Sequence, residues 1–196
     1  MSNKQASDGT ETQQGFTSST TDNHTDPRSK DHPLKAGASL TEQYKIIEVL
    51  GEGSYGIVYK AWDYQLQYPV VIKEYLPIEW CIRYKNESWV NIRPESQQSY
   101  DFGLSSFMEE GRLLSTFRHN NIVRVTNTLE ANNTAYLIMD YEEGSSLEQN
   151  LEKRHQPFSQ VELEKLMTGL LNGLQKIHAE GVLHRDIKPS NIYMRA

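Results

Sequence analysis

The run Leu50-Gly51-Glu52-Gly53-Ser54-Tyr55-Gly56-Ile57-Val58 limits the fold most, because of what flanks it. Tyr44 to Leu50 reads as a short strand, and Ile57 to Trp62 reads as a second one. Glycines at these spacings let a backbone fold closely over a polyphosphate, where a Cβ would hold it away. In a dinucleotide-binding fold the same spacing leads into a helix. Here it leads into Ile57-Val58-Tyr59, so the sequence predicts a glycine-rich hairpin. On these residues alone, an ordinary hairpin without a ligand stays open.

More strands follow. Val70 to Lys73 is β-branched, and Ile122 to Leu129 and Ala135 to Asp140 flank the turn-like Asn132-Asn133. Five antiparallel strands joined by short turns make a small sheet. Between the third and fourth strands, Phe107, Glu110, Leu114 and Phe117 recur at helical spacing, with Asp101 and Ser105 or Ser106 expected to start that helix. Gly111 interrupts it and is expected to weaken it by roughly 1 kcal/mol relative to Ala. From residue 145 the pattern turns helical. Ser145 with Glu148 and Ser159 with Glu162 fit capping boxes. Leu163, Leu166, Met167, Leu170, Leu171, Leu174 and Ile177 then form an apolar face that needs a large partner surface. The class is α+β, a strand-rich lobe over residues 40–140 followed by the start of a helical lobe over 141–196.

Residues 1–39 carry almost no large apolar side chain and are expected to form a disordered arm, because burial cannot offset their ordering entropy. The net charge is -6 and the pI about 5.5, which gives no general electrostatic reason to bind nucleic acid. With Cys81 as the one cysteine, no intrachain disulfide forms and no multi-cysteine zinc site exists. No run of about 20 apolar residues occurs, so the expectation is a cytoplasmic protein without a membrane segment.

The most specific run is His184-Arg185-Asp186-Ile187-Lys188-Pro189-Ser190-Asn191. Alone, it would pass for a charged helix-to-strand connection. Downstream of GxGxxGxV and VVIK, it resembles the catalytic loop of a eukaryotic-type (Hanks-type) serine/threonine protein kinase, most like the bacterial members. The resemblance covers about residues 44–196, the N-terminal part of such a domain, and implies a five-stranded small lobe with a helix C. It implies transfer of the γ-phosphoryl group of magnesium-ATP to a protein Ser or Thr hydroxyl. Asp186 would orient the acceptor and take its proton, and Lys188 would place positive charge beside the transferring group. Asn191 would ligate Mg2+, and His184 would pack and hydrogen-bond beneath the loop. Lys73 would contact the α- and β-phosphates and pair with Glu110, which lies nine positions before His119. Glu109 is the competing partner. Leu50, Gly51, Gly53, Gly56, Val58 and Val71 would enclose the nucleotide. Met139 would sit at the back of the adenine pocket, and backbone groups at Asp140 and Glu142 would meet the base edge. Ser146 falls where a ribose contact is expected. Tyr193 falls where a leucine-like side chain is usual beneath adenine.

Residues of about 78–99 read as an insertion containing Trp80, Tyr84, Trp89 and Arg93, with a hairpin turning at Asn86. Scaffolding against the small lobe is one reading of it, and a regulatory partner surface is the other. Asp101-Phe102-Gly103 spells a metal-binding motif of the family but precedes the helix of Glu110, so it is read as a false match. The true motif and the activation segment would follow Ala196, and the 196-residue chain alone is expected to be catalytically silent. The alternatives are a non-catalytic nucleotide-binding scaffold and an inactive gene fragment.

Overall fold

The computed structural model describes residues 32–195. Three strands, β1 (Tyr44–Gly53), β2 (Gly56–Asp63) and β3 (Tyr68–Tyr75), run antiparallel from the N-terminal side. A small ladder follows, β4 (Cys81–Ile82) with β5 (Asn91–Ile92), then α1 (Gln97–Thr116), β6 (Val125–Ala131) and β7 (Thr134–Asp140). The five long strands form one antiparallel sheet in the order β1-β2-β3-β7-β6. All five strands read from the sequence are therefore present. β6 begins at Val125 rather than Ile122.

Burial alternates along β2, as a pleated strand requires. Ile57, Tyr59 and Ala61 pair with Glu74, Ile72 and Val70, and all six are buried on one face, here called the outer face. Val58, Lys60, Val71 and Lys73 point to the other face, the one on which α1 packs against β6 and β7.

On the inner face, α1 packs through Tyr100, Phe107, Met108 and Gly111. The Tyr75 ring lies 5.2 Å from Tyr100 and 5.5 Å from Phe107. The helix starts at Gln97, earlier than Asp101. A 3-10 turn over Pro94–Ser96 leads into it, with the fixed φ of Pro94 opening the turn. Gly111 also differs from its propensity reading. A Cβ there would overlap Leu137 Cδ2 and approach Thr128 Cγ2 at 3.1 Å, so the glycine admits the sheet. Gly111→Ala is accordingly expected to destabilise the protein by about 1–2 kcal/mol, not to stabilise it. Urea denaturation of the two proteins gives the sign directly.

The outer face is covered by two segments. Leu34 (4 % exposed) and Leu40 belong to the core, Gly37 N donates to Ile46 O at 2.8 Å, and Ile46 N returns a bond to Ala38 O at 2.9 Å. Leu34 is thus packed inside the span expected for the arm, because it finds a preformed apolar face. The expectation for residues 1–31 lies outside the described residues. The second cover is the stretch around β4 and β5, where Cys81 and Val90 are buried and Asn86 turns the chain at φ 67°. Val90 N donates to Asn132 O, and Asn133 Nδ2 donates to Val90 O, both at 2.9 Å.

A polar knot sits between the sheet and these covers. Glu74 and Arg83, 0 % and 1 % exposed in their side chains, form an ion pair. Tyr59 Oη donates to Glu74 Oε2 at 2.7 Å, and Leu34 N donates to Tyr59 Oη at 3.0 Å. Arg83 Nη1 donates to His32 O at 2.7 Å and Arg83 Nε to Ser88 O at 3.2 Å. Burial, then the charge of Glu74, pushes the Tyr59 and Tyr136 phenols far above the ordinary tyrosine range.

Beyond β7 the chain forms β8 (Gly144–Ser146), α2 (Leu147–Lys153), α3 (Gln160–Ala179) and β9 (Tyr193–Arg195), with β8 and β9 paired antiparallel. α2 is capped by Ser146 with Gln149, one residue later than the expected Ser145 with Glu148, and the Ser145 hydroxyl instead accepts from Asn150 Nδ2 at 2.8 Å. α3 is capped by Ser159 with Glu162 as read. Arg154, then Ser159, holds the Glu162 carboxyl down at about 2. α3 meets Asn121 through Gly169 and Gly173 and buries Ile177, while Val161, Leu163, Met167 and Leu171 are exposed.

Candidate active site

The glycine loop is the turn between β1 and β2, closed by the pair Gly53 and Gly56. Its tip is held by the chain leaving β3, with Leu76 N donating to Tyr55 O at 3.0 Å and Ile78 N to Ser54 O at 3.3 Å. The three glycines differ. A Cβ on Gly51 would meet nothing within 4 Å, and one on Gly53 only Gly56 O at 3.8 Å. A Cβ on Gly56 would overlap the carbonyl of Glu74. Gly51 and Gly53 therefore leave open space for a ligand, whereas Gly56 lets β2 approach β3.

Behind the loop, Val58 pairs with Lys73, and Val71 pairs with Lys60 on one side and Met139 on the other. Leu50 is exposed on β1. Lys73 Nζ lies 5.7 Å from the Phe107 ring centroid, over its face. Glu110 is exposed, as is Glu109, and no ion pair joins either to Lys73 among the described residues. The expected partnership of Lys73 with Glu110 is thus not formed here. Phe107, one turn earlier on the packed face of α1, presents its ring to the ammonium.

At the end of β7, Asp140 N donates to Arg124 O at 3.1 Å, and its carboxylate lies 3.9 Å from Arg124 Nη1. The amide of Glu142 has no partner among the described residues. Its carbonyl accepts from Tyr193 Oη at 3.1 Å, and its carboxylate pairs with Arg195 at 2.9 Å. Tyr193 lies opposite Ser146 in the β8–β9 register, and the Ser146 hydroxyl accepts from Gln149 N as the α2 cap. Lys60 Nζ reaches the Tyr141 hydroxyl at 3.1 Å and lies 4.2 Å from that ring's centroid.

The loop after α3 brings three of the expected residues together. Lys188 Nζ lies 3.1 Å from Asp186 Oδ2. Asn191 Nδ2 donates to the same oxygen at 2.7 Å and to Asp186 O at 2.9 Å. The hydrogen bond from Lys188, then that from Asn191, holds the Asp186 carboxyl below the usual carboxylate range. Arg185 sits in the left-handed region at φ 63°, a cost to which such sites commonly commit a residue. His184 is exposed rather than packed beneath the loop, and its Nδ1 accepts from Asp186 N at 3.4 Å. With its amide nitrogen turned to Asp186, Asn191 keeps Oδ1 for a hard cation. No group of three His, Cys, Asp or Glu able to hold a metal occurs among the described residues. The Asn191 Oδ1 is a neutral oxygen donor of the kind Mg2+ takes beside water and phosphate oxygens. Asp101-Phe102-Gly103 lies inside α1, with Asp101 bonded to Gln97 and Phe102 76 % exposed.

The sequence did not point to the Glu74–Arg83 pair, to Phe107 under Lys73, or to Lys60 on Tyr141. One signal was available for the first. Strand alternation places Glu74 on the same face as Val70 and Ile72, where a carboxylate needs a buried cation.

A glycine-looped sheet with a lysine on its third strand, a helix behind it and an Asp-Lys-Asn loop after the helical turn together define a protein-kinase fold. The chain belongs to the protein kinase family, whose protein kinase domain matches residues 44–196. It is 32% identical over 162 residues to the Bacillus subtilis (strain 168) protein named "Probable serine/threonine-protein kinase YbdM", covering 83% of this chain and 56% of that protein. It is also 32% identical to cyclin-dependent kinase G1 of Arabidopsis thaliana, over 81% of this chain and 24% of that one. The chain therefore spans about half or less of the length of these curated relatives. Among solved structures, the PpkA-294 apo form superposes with TM-score 0.79 at 32% identity, over 84% of this chain and 58% of that one. A point mutant of the PknI kinase domain of Mycobacterium tuberculosis shares the fold at TM-score 0.63 and 21% identity, over 83% of this chain and 59% of that one.

Proposed function

We propose that this chain is the nucleotide-binding part of a bacterial, Hanks-type serine/threonine protein kinase, which moves the γ-phosphoryl group of ATP to a protein Ser or Thr hydroxyl. The observation that carries the reading is the cluster in which Lys188 and Asn191 both reach Asp186 within 3.1 Å. Asp186, kept ionised by its two neighbours, orients the acceptor hydroxyl and takes its proton. Lys188 keeps positive charge beside the transferring group. Lys73, with no carboxylate paired to it among the described residues, is the cation available to the phosphates below the open glycines Gly51 and Gly53. Val58, Val71 and Met139 offer apolar surface to the base, and the Glu142 amide offers a donor to its edge. Mg2+, held through Asn191 Oδ1, would neutralise phosphate charge.

The substrate side of the reading is a protein with a Ser or Thr acceptor, met in the cytoplasm. No helix among the described residues is long and apolar enough to cross a membrane. Ile78 and Trp89 stay exposed on the segment that covers the sheet, where a regulatory partner would make contact. A second reading, nucleotide binding without catalysis, has one observation in its favour. Glu110 stands away from Lys73, as in an arrangement not set for transfer.

Thermal unfolding of the 196-residue chain with and without magnesium-ATP tests the proposal. Ligand at 100 times Kd should add about 2.7 kcal/mol of stability, and Lys73→Met should remove most of that gain. No shift in the wild-type chain at millimolar magnesium-ATP would defeat both readings. Phosphate transfer to a protein acceptor by a protein that carries these residues within a full-length kinase domain would favour the first over the second.

A further inference from the structure

We propose that Tyr193 sets the base specificity of the cleft by occupying the carbonyl oxygen of Glu142. The inference rests on the nucleotide-binding reading above. Tyr193 is gripped from two directions. The β8–β9 ladder fixes its backbone opposite Ser146, and its hydroxyl donates to Glu142 O at 3.1 Å. Two residues on, Arg195 pairs with the carboxylate of the same Glu142 at 2.9 Å, so one strand holds that residue at both ends. Burial first, then the neighbouring Tyr141 and Glu142, raises the Tyr193 phenol above its ordinary range, and it remains a donor at neutral pH.

A purine presents three groups in order along one edge, the 6-substituent, N1 and the 2-substituent. The backbone after β7 offers a matching order, the Asp140 carbonyl, the Glu142 amide and the Glu142 carbonyl. The amide has no partner among the described residues, whereas the carbonyl after it already has one. Adenine carries only hydrogen at C2 and makes no demand on that third position. A 2-amino group would have to donate to the same oxygen and share it with the Tyr193 hydroxyl, which already takes one of its two lone pairs. The cleft thus accepts a 6-aminopurine and disfavours a 2,6-diaminopurine. Guanine is no probe of Tyr193, because its 6-oxo group and N1–H already mismatch the first two positions.

Calorimetric titration of the 196-residue chain with magnesium-ATP and with magnesium 2-amino-ATP, for wild type, Tyr193→Phe and Tyr193→Leu, decides the matter. Both nucleotides share ribose and triphosphate, so the ratio of their affinities isolates the base edge. Wild type should prefer ATP, and Tyr193→Phe should shrink that preference on the order of tenfold, one hydrogen bond's worth. Tyr193→Leu should shrink it at least as far. An unchanged ratio in both variants, with ATP still bound, would overturn the role of Tyr193 and leave the nucleotide reading standing. Failure of magnesium-ATP to bind the wild-type chain would overturn that reading, and this inference with it.

Discussion

Replacing Arg83 with methionine is expected to cost roughly 3–5 kcal/mol of stability, a large share of what a domain of this size holds. The reason lies in what is left behind. Glu74 is fully buried, its carboxylate takes one hydrogen bond from Tyr59, and Arg83 supplies the only positive charge beside it among the described residues. Without the guanidinium, a buried carboxylate keeps only neutral tyrosine neighbours and no counter-charge, and the carbonyls of His32 and Ser88 lose their donor too. The opposite outcome is expected for the pair removed together. A Glu74→Met, Arg83→Met protein should be more stable than the Arg83→Met protein, because no lone charge remains. Chemical denaturation of the four proteins in a double-mutant cycle measures this coupling. A cost below about 1 kcal/mol for Arg83→Met would show that water reaches Glu74 after all.

The second large effect is expected at Gly56. Alanine there should cost about 3 kcal/mol, at the upper end for overpacking, because the new methyl meets a backbone carbonyl that cannot rotate away. Gly51→Ala, with open space around it, should stay within roughly 0.5 kcal/mol of wild type in stability. Its effect should appear only with magnesium-ATP, as a smaller stabilisation by ligand. Melting each protein with and without nucleotide separates the two roles. Equal losses of intrinsic stability at both positions would contradict the distinction drawn between these glycines.

What could be read in advance follows from what is local. Period-two runs such as IVYKAW and VVIK and the Ser159 capping box need only neighbours in sequence, and they appear where expected. The polar residues of the HRDIKPSN run are also neighbours in sequence, and Asp186, Lys188 and Asn191 come into contact. Failures came where the deciding partner is distant. Gly111 looked like a helix defect until Leu137 stood against it. Leu34 fell in a polar stretch read as a disordered arm, because the apolar face it covers is built by strands that follow it. Nothing in the spacing of Glu74 and Arg83 announces a pair. Tyr193 could be flagged as unusual from its position, but the carbonyl it seeks lies 51 residues earlier in the chain.

The outer cover of the sheet has a consequence in time as well as in energy. β3 lies between β2 and β7, with its outer side chains dry under residues 32–46 and the β4–β5 stretch. Its amide protons therefore reach solvent only when the whole lobe opens, and they exchange at the slowest rate the fold sets. α3 rests on few contacts and keeps an apolar side in water, so its amides escape through local fraying. Hydrogen exchange of this 196-residue chain is therefore expected to be faster in α3 than in β3.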